Sequence, residues 1–155
     1  MPPVLRLIAL FAILAAGCSG PAQVSTREQT AAGQLVDGAR LYVHDGDTVR
    51  LATAERVRLA GIDAPELPPR AACDREARLA LEAKARLLDL VRNAHQVTLQ
   101  RPPAEHRDVD RYGRLLRNLQ VDGRNVGDIL VAEGLAQVWR GRKAEWCAGE
   151  LDARP

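Results

Sequence analysis

Residues 43–66 read VHDGDTVRLATAERVRLAGIDAPE. Two short apolar runs, 48–51 and 56–62, are joined by ATAE, which predicts an antiparallel hairpin. Asp45 and Asp47 precede the first run, Asp63 and Glu66 follow the second, and Arg58 lies between. No other stretch constrains the fold as much. Closing the hairpin gathers acids at its open end, and like charges held close need a compensating cation. A turn centred near Ala54-Glu55 sets Asp47 opposite Ile62 or Asp63.

The remaining elements follow from pattern and punctuation. Leu35–Val43 is a strand candidate broken by Asp37-Gly38. Residues 73–93, CDREARLALEAKARLLDLVRN, lack internal Gly and Pro and predict a helix of about 20 residues. Ala77, Leu81, Ala85, Leu88 and Val91 would form its apolar stripe. Gln96–Gln100 and Leu115–Val121 read as strands, separated by the charged loop RPPAEHRDVDRYGR. A second helix starts at Asn125, an N-cap residue type, and stops at Gly134. Leu135–Trp139 is a last extended piece. Several short strands with two helices give an α+β class, best met by a small closed antiparallel barrel with helices packed on it. Aromatic residues make up only 3% of the chain, so Leu, Val, Ile and Ala must fill the core.

The first 18 residues, MPPVLRLIALFAILAAGC, have the layout of an export leader: Arg6, an apolar run from Leu7 to Ala16, then small residues. The AAGC ending resembles a bacterial lipobox, which makes Cys18 a candidate lipidation site. Plain secretion, or an N-terminal helix of the fold, are the alternatives. Lipidation or secretion places the protein in the periplasm, in the cell envelope or outside the cell, with a membrane reached only through the lipid. Residues 19–33 are small and polar, a tether. The domain proper spans 34–147, and 148–155 is a loose tail. Cys73 and Cys147 remain, either bridged across a loop of about 75 residues or present as two thiols.

The residue types at the hairpin's open end suggest a chemistry. Asp47 and Asp63 offer hard oxygen ligands suited to Ca²⁺ or Mg²⁺ rather than zinc. Arg58 and, from the charged loop, Arg114 carry planar forks that fit phosphate oxygens. Glu66 is a spare carboxylate that could take a proton from an attacking water. That set suits phosphodiester hydrolysis. Arg58 and Asp63 have opposite parity, so the strand must bulge or end near Gly61 for both to face one site. The net charge of +2 is too small to signal nucleic-acid binding by bulk charge, so any grip must come from clusters such as Arg107, Arg111 and Arg114.

The ordered segments DGDTV, RLAGIDAPE, DRYGR and VAEGLAQV, spread over roughly residues 40–147, resemble the staphylococcal nuclease (thermonuclease) family. The resemblance implies a five-stranded OB-fold β-barrel with packed α-helices, and calcium-dependent cleavage of DNA and RNA to 3′-phosphates. It implies Asp47, Asp63 and the Ala64 carbonyl as calcium ligands, with Asp45 and Thr48 supporting them. Glu66 becomes the general base, Arg58 and Arg114 the phosphate-binding arginines, and Tyr112, beside Arg111, a nucleotide-side contact. A Cys before the long helix and a Trp-Cys near the end, as in Trp146-Cys147, occur in exported relatives and imply a Cys73–Cys147 disulfide. The chain departs from the family after GLAQV, where Arg140 and Arg142 replace stacking tyrosines, favouring salt-sensitive phosphate contacts over stacking. A monomer acting on nucleic acid is the expectation. The rival readings are a barrel that binds nucleic acid without cutting it and an envelope protein with a structural calcium.

Overall fold

The structure, a computed structural model, describes residues 33–103 and 105–148. The leader, Cys18, nearly all of the tether and residues 149–155 of the tail lie outside the described residues. Nine strands occur among those described: β1 (Gln34–Val36), β2 (Tyr42–Val43), β3 (Thr48–Arg50), β4 (Arg56–Leu59), β5 (Ile62–Asp63), β6 (Val97–Gln100), β7 (Leu115–Val121), β8 (Arg124–Asn125) and β9 (Gln137–Val138). The helices are α1 (Asp74–Asn93) and α2 (Val126–Ala132). No described helix is long and apolar enough to cross a membrane.

The main sheet runs β1-β6-β7-β4-β3-β2, with β8 also on β7, and curls into an OB-like half-barrel rather than a closed barrel. The α+β class and the OB arrangement are as expected. One pairing is not antiparallel: β4 and β7 run parallel through Val57↔Leu115 and Leu59↔Arg117. β7 is the spine. Its first residues pair with β4, and Asn118–Val121 pair with β6. Its alternate residues Leu119 and Val121 face a core of Val43, Val49, Val57, Leu59, Leu87 and Leu130, with no aromatic among them.

Both helix starts follow from local chemistry. Cys73 caps α1 by accepting the Glu76 N–H, and Asn125 caps α2 by accepting the Gly127 N–H at 2.8 Å. The stripe of α1 shares only Val91 with the one expected. Glu76, Ala80, Ala83, Leu87 and Val91 are buried, while Leu81 is 58% exposed. Fit against neighbouring backbone selects this face. A Cβ on Gly46 would lie 2.7 Å from the Ala83 Cβ and 2.8 Å from the Ala64 Cβ, so α1 touches the DGD loop through small residues alone. The larger Leu81 and Leu88 could not make that approach.

The hairpin register also differs from expectation. Thr48↔Arg58 and Arg50↔Arg56 pair, so the loop is the three residues Ala52–Ala54. Ala54 takes a left-handed conformation (φ 74°), the position such loops usually fill with Gly. Asp47 therefore faces Leu59, whose N–H donates to the Asp47 carbonyl at 2.8 Å.

Cys73 and Cys147 form a disulfide, joining the start of α1 to the segment after β9. Replacing both by Ser should lower unfolding free energy by about 2–5 kcal/mol. Leu119→Ala, in a fully buried position, should cost a similar ~2–5 kcal/mol. Urea denaturation under oxidising conditions measures both.

Candidate active site

β4 ends at Leu59. Ala60 and Gly61 then turn the chain, Gly61 with φ +77°, and β5 sets off in a new direction. This break resolves the parity conflict between Arg58 and Asp63. The Arg58 guanidinium holds the break together: its Nη1 donates to the Leu59 carbonyl at 2.7 Å and its Nη2 to the Ile62 carbonyl at 2.8 Å. The same Nη2 lies 3.0 Å from Asp47 Oδ2 and 3.9 Å from Asp63 Oδ1. The two arms of the guanidinium thus bridge two carbonyls while one of them also faces both acids, a set of contacts a single ammonium could not reproduce.

Around it the DGD loop is closely organised. The Asp47 N–H donates to Asp45 Oδ1 at 3.1 Å, and the Ala64 N–H donates to Asp47 Oδ2 at 3.1 Å. Thr48 Oγ1 donates to Asp47 Oδ1 at 2.9 Å and accepts from Arg114 Nη1 at 3.2 Å. A continuous polar chain therefore links Arg114, Thr48, Asp47, Arg58 and Asp63. Asp45, Asp47 and Asp63 are all buried. Burial pushes the Asp47 carboxyl up to about 6, the Asp45 charge adds to the rise, and Arg58 opposes it.

Arg114 is positioned by a turn. Asp110 Oδ1 accepts the Tyr112 and Arg114 N–H groups, and Asp110 Oδ2 accepts Arg114 Nε at 2.7 Å. Burial raises the Asp110 carboxyl, but the bonds from Arg114 and Tyr112 outweigh it and hold the group below its usual range. Arg111 lies over the exposed Tyr112 ring, 4.8 Å from its centroid, and Arg114 approaches it at 5.5 Å. Both expected nucleotide-side residues thus share one cation–aromatic patch beside the site.

Glu66 lies past β5 in the loop before α1. Its Oε2 accepts Arg70 Nε at 2.8 Å, and its Oε1 takes Lys143 Nζ. Burial raises this carboxyl, yet hydrogen bonds and charge from Lys143 and Arg70 prevail and lower it below the usual glutamate value. Glu66 is thus held as carboxylate at neutral pH. Lys143 comes from the segment that β9 and the disulfide lay along β5. Gln137 pairs with Asp63, Trp139 N–H donates to the Gly61 carbonyl, and Ala144 N–H donates to Asp63 Oδ2 at 2.9 Å. Arg140 and Arg142 in this segment are exposed, and Arg142 lies 3.9 Å from Glu145.

The structure therefore brings Asp47, Asp63, Ala64, Arg58 and Arg114 into one bonded constellation, with Glu66 on the adjoining loop. Arg140 and Arg142 stand outside it on the surface. Sequence reasoning missed Arg70, Lys143, Asp110 and Glu76. Glu76 had a local signal, an acid three residues after the N-cap Cys73. Lys143 had none, being 77 residues from Glu66.

Because the folded Asp110 titrates below its unfolded value, its stabilisation is complete above pH ~4 and lost as pH falls through the folded value. Asp110→Asn should melt below wild type at pH 7, and the gap should close under acid. Melting temperatures from pH 7 to 3 check this.

Over residues 56–152 the chain matches the family described as staphylococcal nuclease homologue. It is 34% identical over 108 residues to the SPbeta prophage-derived endonuclease YokF of Bacillus subtilis (strain 168), covering 68% of this chain and 35% of that protein. It is 34% identical over 97 residues to endonuclease YncB of the same organism, covering 61% of this chain and 44% of YncB. The aligned region is thus less than half the length of either relative. With its OB-like half-barrel and two helices, the chain belongs to the staphylococcal nuclease homologue family.

Proposed function

We propose that the protein is a calcium-dependent endonuclease that hydrolyses phosphodiester bonds of DNA or RNA and leaves 3′-phosphates. The observation that carries this reading is the hydrogen-bonded and ion-paired chain Arg114–Thr48–Asp47–Arg58–Asp63, with the ionised Glu66 beside it. The donor set fits a hard cation. Two buried acids, Asp47 and Asp63, face the half-buried Arg58 with a third, Asp45, behind them, and every candidate ligand is oxygen. Among the described residues no three acidic, His or Cys side chains form a metal cage by themselves, so Asp47, Asp63 and the Ala64 carbonyl would share the ion with water and substrate. A bound calcium would supply charge to stabilise a pentavalent phosphate.

The chain's own residues then divide the work. Arg58 and Arg114 present guanidinium forks to the non-bridging phosphate oxygens, where charge grows in the transition state. Glu66 accepts a proton from the attacking water. Arg70 and Lys143 keep it ionised for that task, and both are well exposed, so an incoming polyanion competes for them and frees a carboxylate oxygen. Tyr112 with Arg111 on one side, and Arg140 with Arg142 on the other, contact the strand. Weak bulk charge and many arginine contacts give binding that falls steeply with salt. We read the enzyme as a monomer exported to the periplasm or cell envelope, through a cleaved signal or a lipid on Cys18. The Cys73–Cys147 bridge supports an oxidising compartment.

A nuclease assay with calcium, with a chelator, and with Glu66→Gln tests the reading. Wild type should cut only with calcium, and Glu66→Gln should fold yet lose at least ~100-fold in kcat. Arg58→Lys and Arg114→Lys should each lose ~100-fold or more in kcat/KM, since a point charge does not replace a fork. Cleavage by Glu66→Gln at the full rate removes Glu66 as the base. Binding without cleavage by wild type sinks the enzyme reading in favour of a non-catalytic nucleic-acid-binding module.

A further inference from the structure

Glu76 is a charged side chain only 6% exposed, in the first turn of α1, and the chemistry above gives it no task. In an ordinary capping box the third residue of a helix reaches back to the N-cap N–H. Glu76 reaches further. Its Oε1 accepts the Glu66 N–H at 3.1 Å and its Oε2 accepts the Ala72 N–H at 2.6 Å. These two donors lie at opposite ends of the loop 66–72, ELPPRAA, which carries the general-base carboxylate.

The loop has few other means of holding its shape. Pro68 and Pro69 have no N–H to give, and the Arg70 N–H is bonded within the loop to the Leu67 carbonyl. Glu76 itself is fixed. Its own N–H donates to Cys73 Sγ, and Cys73 is tied to Cys147. The same covalently anchored segment carries Lys143 to the Glu66 carboxylate.

We propose that Glu76 is a positioning residue for the Glu66 loop: one buried carboxylate grips both ends of residues 66–72 and sets where the base stands relative to the phosphate. This rests on Glu66 being the base. It adds that the base's placement is governed from the helix interior and not only by the exposed Arg70 and Lys143. An error of about an ångström in a reacting group can cost on the order of a hundredfold in rate. The grip should therefore act on turnover and leave substrate affinity to the arginines.

The test uses the disulfide-bonded protein and three variants: Glu76→Gln, Glu76→Ala and Asp74→Ala. Gln keeps the volume but can accept only one of the two N–H groups. Asp74 is an exposed acid of the same helical turn, so its loss weakens the helix start without touching the loop. Residue-resolved amide exchange should show the Glu66 and Ala72 amides protected in wild type and in Asp74→Ala. In Glu76→Gln at least one of them should exchange about tenfold faster, and in Glu76→Ala both. On DNA, kcat should fall about tenfold to a hundredfold in Glu76→Gln with KM changed little, and stay near wild type in Asp74→Ala. Unchanged exchange and unchanged kcat in folded Glu76→Gln overturn the proposal, even where Glu66→Gln is dead and the nuclease reading stands. If wild type cuts nothing, the nuclease reading falls, and amide exchange still decides whether the grip exists. Should neither Glu76 variant fold, wild-type amides at 66 and 72 exchanging at free-loop rates overturn it, and protected amides uphold it.

Discussion

The site is organised around one guanidinium between two buried carboxylates. Arg58 bonds two backbone carbonyls across the break after β4 and faces Asp47 and Asp63 with the same nitrogen. Remove its charge and the acids that remain repel in a poorly solvated place. Remove its planar fork and the break between β4 and β5 loses the strut that sets their angle. Structure and charge balance thus depend on the same atoms.

Much of the architecture serves to bring this cluster together. Gly46 lets α1 lie against the DGD loop, and the parallel β4–β7 pairing places the start of β7, and so Arg114, beside Thr48. The segment after β9 closes the other side, where Ala144 N–H caps Asp63 and Lys143 meets Glu66. Three stretches far apart in sequence therefore share one polar network.

What could be read beforehand depended on how local the signal was. The hairpin, the capping residue Asn125, and the need for a break at Gly61 were all visible as short patterns. The hairpin register was not, because Ala54 occupies a left-handed position without the Gly that would advertise it. The stripe of α1 was misjudged because spacing alone was taken as the guide, whereas close approach to Gly46 favours the face that carries Ala83. The acids and arginines stood out by type and spacing. Arg70 and Glu76 lie within ten residues of Glu66 but carry no pattern that marks their partners, and the contact of Lys143 arises only when the chain folds back on itself.

The Asp110 turn separates two duties of the charged segment. Asp110 binds the backbone at 112 and 114 as well as the Arg114 side chain, so much of the arginine's aim is settled within five residues, and the bond to Thr48 completes it. The stretch from Arg101 to Arg107 supplies, among its described residues, none of the hydrogen bonds that hold Arg114. It can lengthen, shorten or acquire new side chains and still deliver the same guanidinium to the same spot. Evolution, or a designer, can thus vary the approach to the site there while the placement of the guanidinium stays inherited.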